Sequence, residues 1–240
     1  MKIIILCAGV SSRTKLGYPK CLYKFKDGEM LIEKNIIKLK KFGFKNKDFI
    51  FATGFRSNIV QKKTKNLFRY IKNVNFKTTN MVYTLNKVIT NIKLDDILIL
   101  YSDILFEKNC LNRILKDKRD VVTLVDTNWK KKWFKKKNYK DDLEELRIDG
   151  SKIKSLGKKV LKVKGIDGRF IGITKFSKNF LKFLYQKKII KKILAENKKI
   201  DFTNFLMKLI RLNKTVHAIK GNFDWNEFDT SYDFELHESS

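Results

Sequence analysis

The feature that most limits the fold is a repeated switch of hydrophobic period over the first 125 residues. Lys2–Leu6, Asp48–Thr53, Val74–Phe76, Ile97–Tyr101 and Val121–Val125 are short apolar runs, the pattern of strands buried on both faces. Between them the spacing becomes helical. Leu31–Phe42 carries apolar residues at 31, 32, 36, 39 and 42 and stops at Gly43, a helix with a glycine at its end. Ser57–Tyr70 and Leu111–Leu115 also read as helices, and Thr78-Thr79-Asn80 offers N-caps for one running to about Ile89. This alternation predicts an α/β protein with an open, mostly parallel sheet. Ligands of such sheets sit beyond the carboxyl ends of the strands. A loop around Gly9 and the carboxylate of Asp103 both fall at such ends.

From Asp126 the texture changes. Trp129–Lys140 is basic and aromatic, Leu146–Leu156 reads as a hairpin turning at Asp149-Gly150, and Val163–Thr174 is strand-like. Phe176–Leu194 and Phe202–Leu212 read as amphipathic helices, Thr215–Ile219 as a last strand, and Asn222–Glu238 is acidic. No internal repeat and no long linker interrupts the chain, so residues 1–240 are expected to form a single domain.

Charge decides which partners to consider. The formal net charge of +29 suits a nucleic-acid or anionic-membrane partner. The lysines, however, are spread along the chain with abundant Ile, Asn and Phe, the mixture AT-rich codon usage favours. No specific nucleic-acid partner is expected. No apolar run approaches the length of a membrane span and no signal-peptide core follows the start, so the expectation is a cytoplasmic protein without membrane insertion. Cys7, Cys21 and Cys110 lack C-x-x-C spacing and read as free thiols.

Two stretches carry chemistry. After the first strand come the small residues Cys7-Ala8-Gly9-Val10-Ser11-Ser12, then Arg13 and, further on, Pro19-Lys20. Small residues let backbone N–H groups approach a ligand, and two fixed cations beside them suit a polyphosphate. Pro19 is the sole proline and fixes the chain direction before Lys20. The second stretch is Asp224-Trp225-Asn226-Glu227-Phe228-Asp229-Thr230. If extended, it projects Glu227 and Asp229 from one face, where they repel unless a cation neutralises them. Mg²⁺ prefers such oxygen ligands. The other reading is a solvent-facing edge with Thr230 capping a last helix.

The string L-x-A-G-x-x-x-R-x5-P-K at residues 6–20 resembles the signature of nucleotidyltransferases that activate sugar phosphates and small alcohol phosphates, with Cys7 where Ala is usual and Ser11 where Gly is usual. W-N-E-F-D-T-S-Y-D-F at 225–234 resembles the ending of cytidylyltransferases acting on phosphocholine and related molecules. Val125–Trp129, Leu146–Gly157 and Asp167–Ser177 resemble the same family in order along the chain. The resemblance implies a Rossmann-like, GT-A-like nucleotidyltransferase sheet in which about residues 126–175 form a smaller region covering the acceptor. It implies that Leu6, Cys7, Ala8, Gly9, Val10, Ser11, Ser12, Asn80 and Ser102 contact the nucleotide. Arg13 and Lys20 would bind the triphosphate and, with Asp103, act in catalysis. Asp103, Glu227 and Asp229 would hold Mg²⁺.

The implied reaction is cytidylyl transfer from CTP to phosphocholine, 2-aminoethylphosphonate or phosphoglutamine, with release of pyrophosphate, in surface polysaccharide (capsule) or lipid decoration. Trp129, Trp225 and Asp167 are expected at the acceptor. Two rival readings are a sugar-1-phosphate nucleotidyltransferase using UTP or dTTP and a basic nucleic-acid-binding protein. A homo-oligomer is left open.

Overall fold

The computed structural model describes residues 1–137 and 139–239. The first apolar run becomes β1 (Lys2–Cys7), and Ile3, Ile4 and Ile5 are each at most 1% exposed because helices cover both faces of the strand. Successive side chains alternate between two cores. Ile3 and Ile5 pack on one face, Ile4 and Leu6 on the other, the two-residue period of a strand. β1 lies between β2 (Phe49–Thr53) and β4 (Ile97–Tyr101), parallel to both, and β3 (Arg69–Lys72) adds a further parallel strand beside β2.

Beyond β4 the sheet becomes mixed. β9 (Arg169–Phe176) runs antiparallel between β4 and β6 (Val121–Asp126), and β10 (His217–Gly221) lies parallel to β6. The hairpin β7 (Glu144–Asp149) and β8 (Lys152–Lys159) completes the nine-stranded order β3-β2-β1-β4-β9-β6-β10-β8-β7. The helices α1 (Leu31–Lys40), α2 (Ser57–Lys63) and α4 (Lys108–Ile114) pack residues such as Ile36, Val60 and Leu111 into one core. The other core receives α3 (Met81–Ile89), α6 (Lys178–Gln186), α7 (Ile189–Glu196) and α8 (Phe202–Arg211). A short helix α5 (Lys130–Trp133) and a 3₁₀ turn at Tyr139–Asp142 follow β6, and α9 (Ser231–Glu238) ends the described chain.

Two expectations are corrected. The third strand is Arg69–Lys72, not Val74–Phe76, and the helix before it ends at Lys63. Val74 is 64% exposed, whereas 69–72 is an edge strand whose Tyr70 and Ile71 are half-buried on opposite faces. The helix expected over 176–194 breaks at Lys188, which takes the left-handed φ of 53° and separates α6 from α7.

A small two-stranded sheet brings the C-terminal segment to the site. β5 (Ile104–Phe106) pairs antiparallel with β11 (Trp225–Glu227), placing Glu227 opposite Ile104. Phe228 N–H then donates to the Asp103 carbonyl oxygen at 2.8 Å. Thus the tip of β4 and the residues after β11 are fixed beside each other by backbone bonds.

Candidate active site

At the carboxyl ends of β1 and β4 lies a cleft of about 370 Å³, within the roughly 300–1,000 Å³ typical of small-molecule sites. Leu6 through Arg13, Lys20, Asn80 and Ser102 all line it, together with Asp103. The loop after β1 is shaped from below. Phe55 N–H donates to the Ala8 carbonyl oxygen at 3.0 Å. A Cβ on Gly54 would stand 2.6 Å from that same oxygen, so only glycine lets the two segments approach. Ser11 has φ 55°, the conformation in which glycine is easiest, and its hydroxyl accepts from Lys20 N–H at 3.1 Å. The serine thus ties the loop to the segment that carries the lysine.

Lys20 is the junction of the site. Its ammonium lies 3.0 Å from Asp103 Oδ2 and 3.0 Å from Asp229 Oδ1. Arg13 reaches the same Asp229 oxygen at 2.7 Å. The loop after β1, the tip of β4 and the C-terminal segment therefore converge on one charged group, although Lys20 and Asp229 are 209 residues apart. Burial works against the Lys20 charge, but Asp103 and Asp229 outweigh it and hold its pKa above the ordinary lysine value. Asp229 is the mirror case. Burial pushes its carboxyl up, yet Lys20, Arg13 and Lys136 outweigh that and keep it below the usual range.

The helix cap positions Asp229. Asp233 Oδ2 accepts from the N–H groups of Asp229 and Thr230 and from the Thr230 hydroxyl, at 2.7–2.9 Å. Thr230 therefore caps α9, and Asp229, 7% exposed, turns inward toward Lys20 instead of facing solvent.

Behind Asp229 stands Glu227. Asp142, Glu227 and Asp229 each offer a carboxylate oxygen within 4.8 Å of the others. Burial, then Asp229, push the Glu227 carboxyl up to about 8, against the opposing pull of Arg169 and Lys136. Its Oε2 is buried without a hydrogen-bond partner among the described residues. An all-oxygen set with one unsatisfied buried oxygen fits a hard divalent cation. Asp103, expected from the sequence to complete this set, is not part of the cluster; Asp142 takes that place, and Asp103 faces Asp229 across the Lys20 ammonium.

Other expected residues are differently used. Asn80 lines the cleft, but its Oδ1 accepts from Met81 N–H at 2.8 Å as the cap of α3, and its amide donates to the Lys199 carbonyl. Trp129 and Trp225, expected at the acceptor, are 1% and 3% exposed and packed in the core. The Trp225 indole donates to the fully buried Asp126 at 2.9 Å. Asp167 lies outside the cleft, accepting from Ile148 N–H and pairing with Arg147 at 3.7 Å. The basic segment is likewise committed: Lys132 donates to the carbonyls of Phe223 and Trp225, and Lys136 to that of Glu227. These two lysines satisfy the free edge of β11.

Residues not anticipated are Asn73, Phe76, Thr79, Thr84 and Tyr101 in the cleft wall, and Asp142 and Arg169 behind the carboxylates. Asn73 sits 1% exposed, donating to the Thr79 and Thr84 hydroxyls at 2.9 Å. The sequence held no signal for it, because the strand that ends just before it, Arg69–Lys72, has too few apolar residues to be read.

No model of a known protein family matches the chain. Over 98% of its length it is 30% identical to a CTP:phosphoglutamine cytidylyltransferase of Campylobacter jejuni, of which it covers 98%. Among solved structures it resembles the inositol-1-phosphate CTP transferase of T. maritima, with a TM-score of 0.76 at 17% identity over 98% of this chain and 94% of that one. It also resembles the CTP:phosphocholine cytidylyltransferase of Streptococcus pneumoniae, with a TM-score of 0.70 at 20% identity over 99% and 97% of the two chains.

Proposed function

Because the chain belongs to the nucleotidyltransferases, among the CTP-dependent cytidylyltransferases, we propose that it transfers CMP from CTP to a small phosphate monoester, with a phosphorylated amino acid of the phosphoglutamine type as acceptor. The observation that carries this reading is the meeting of Lys20, Asp103 and Asp229 at the end of the cleft formed by the loop after β1.

An acceptor phosphate oxygen attacks the α-phosphorus of CTP, and the bond to pyrophosphate breaks. A phosphate monoester has a second pKa of about 6, so the nucleophile is already anionic near neutrality and needs no general base. The described residues lining the cleft include no histidine. His217 lies elsewhere, beside Ser151. The work left to the protein is positioning and charge neutralisation. Backbone N–H groups of Cys7–Ser12 receive the phosphates, while Arg13 and Lys20 neutralise charge moving onto the leaving pyrophosphate. Lys20 and Arg13 also hold Asp229 in place before substrate arrives. Asp103, Glu227 and Asp229 would hold Mg²⁺, which supplies positive charge to phosphate oxygens when bound.

The three tryptophans favour an amino-acid acceptor over choline. A quaternary ammonium is held by open aromatic faces. The Trp133 ring already carries Arg169 at 3.8 Å and Lys136 at 4.1 Å from its centroid, and Trp129 and Trp225 are buried.

The test is a matrix of CTP, UTP, ATP and dTTP against phosphoglutamine, phosphocholine, 2-aminoethylphosphonate and glucose-1-phosphate, read by pyrophosphate release and product mass. A CDP-linked product from CTP and phosphoglutamine is expected. Faster turnover of UTP or dTTP with the sugar phosphate would replace it.

A further inference from the structure

Arg169 opens β9 and is 8% exposed. Its guanidinium donates to the Asp142 carbonyl oxygen at 2.6 Å and to Asp142 Oδ2 at 2.8 Å. It stands 3.6 Å from Glu227 Oε2 and rests on the Trp133 ring. One planar, permanently charged fork thus touches three elements: the turn at Tyr139–Asp142, the end of β11 and the basic segment after β6. Its direction is built into the sheet. The β6–β9 register shifts between Thr123 and Val125, and Asp126 pairs with Arg169 beyond the shift. Such irregularities re-aim side chains. Gly168, where a Cβ would stand 2.4 Å from Val125 Cγ1, permits the close approach.

The surroundings give this fork a task. Asp142, Glu227 and Asp229 crowd within 4.8 Å and repel one another. Lys20 and Arg13 hold Asp229. Among the described residues Glu227 Oε2 has no hydrogen bond to hold it, and Arg169 is its ion-pair partner at 3.6 Å. We propose that Arg169 is a positioning residue of the cation site: it sets Glu227 beside Asp229 and ties Glu227 to the turn carrying Asp142. This rests on the reading above that Asp103, Glu227 and Asp229 hold a divalent cation. Lysine cannot reproduce the arrangement, because a single ammonium lacks the planar fork that bridges a carbonyl and two carboxylates.

The experiment measures Mn²⁺ affinity without nucleotide, by electron paramagnetic resonance, in the wild type, Arg169→Met and Arg169→Lys, with melting curves alongside. Loss of a residue that orients metal ligands weakens affinity by roughly 10–100-fold. Arg169→Met is expected in that range and Arg169→Lys between it and the wild type. Unchanged or tighter Mn²⁺ binding by a folded Arg169→Met protein overturns the proposal. If that variant does not fold, Arg169→Lys decides alone, and wild-type affinity in it is the overturning result. Absence of Mn²⁺ binding in the wild type also overturns it. Cytidylyl transfer, assayed separately by product mass, is judged independently.

Discussion

Replacing Lys20 with methionine removes the charge at the junction of the site while keeping most of the stem. The Lys20 side chain is 10% exposed, with its ammonium 3.0 Å from one oxygen each of Asp103 and Asp229. At that distance and an effective dielectric of about 20, each attraction is worth about 5 kcal/mol before desolvation is subtracted. Removing one partner of a buried ion pair has a net cost of about 3–5 kcal/mol, because the other charge stays behind. Arg13 remains on Asp229 at 2.7 Å but is 61% exposed, so it shields part of the loss. The lower end, about 3 kcal/mol, is the expectation. For a chain of this size that lowers the melting temperature by about 6–12 °C. Magnesium should restore part of this loss in Lys20→Met and add less to the wild type, since the uncovered carboxylates then take a divalent cation. Turnover should fall by roughly 10²–10³, the usual effect of losing one preorganised charge. Melting curves with EDTA and with magnesium, together with pyrophosphate release, provide the readout. A Lys20→Met protein that melts with the wild type in EDTA, or keeps a tenth of its turnover, refutes the reasoning.

Asn80→Ala should cost about 1 kcal/mol as a lost helix cap and leave the KM for CTP within about threefold, because the side-chain amide is occupied by Met81 and Lys199; chemical denaturation and kinetics check both. Gly54→Ala should destabilise by about 1–3 kcal/mol through overpacking and raise the KM for CTP, since its methyl group would displace the Ala8 carbonyl. His217 has a pKa held below the ordinary value of 6.5 by burial, then Arg119 and Lys152, against Asp117. Its neutral form is the stable one, so its contribution is present above pH 6.5 and is lost as pH falls through the folded pKa. His217→Gln should therefore flatten the decline of stability as pH falls below 6.5 in urea titrations.

Much of this was legible wherever the signal is local. The loop after β1 needs small residues in a row, and Ser11, standing where glycine is usual, does occupy a left-handed conformation. The strand at Ile97–Tyr101 and the start of α3 after Asn80 fell where the apolar run and the cap placed them. What failed was set by contacts distant in the chain. Arg69–Lys72 has too few apolar residues to announce a strand and exists because β2 offers it a parallel edge. Lys188 breaks a helix with no glycine or proline to mark it. The tryptophans looked suited to a ligand, but Trp225 is anchored by Asp126, 99 residues away. The role of Arg169 is not legible in the sequence because its partners, Asp142 and Glu227, lie 27 and 58 positions off and meet it only through the bulge between β6 and β9.

The most direct test of the central claim is an anomalous difference map from crystals grown with Mn²⁺ and a non-hydrolysable CTP analogue. A manganese peak bounded by Asp103, Asp229 and Glu227 is expected, with the triphosphate lying between it and the Cys7–Ser12 loop. A nucleotide seated away from that loop, or manganese bound with none of the three carboxylates as ligands, would contradict it.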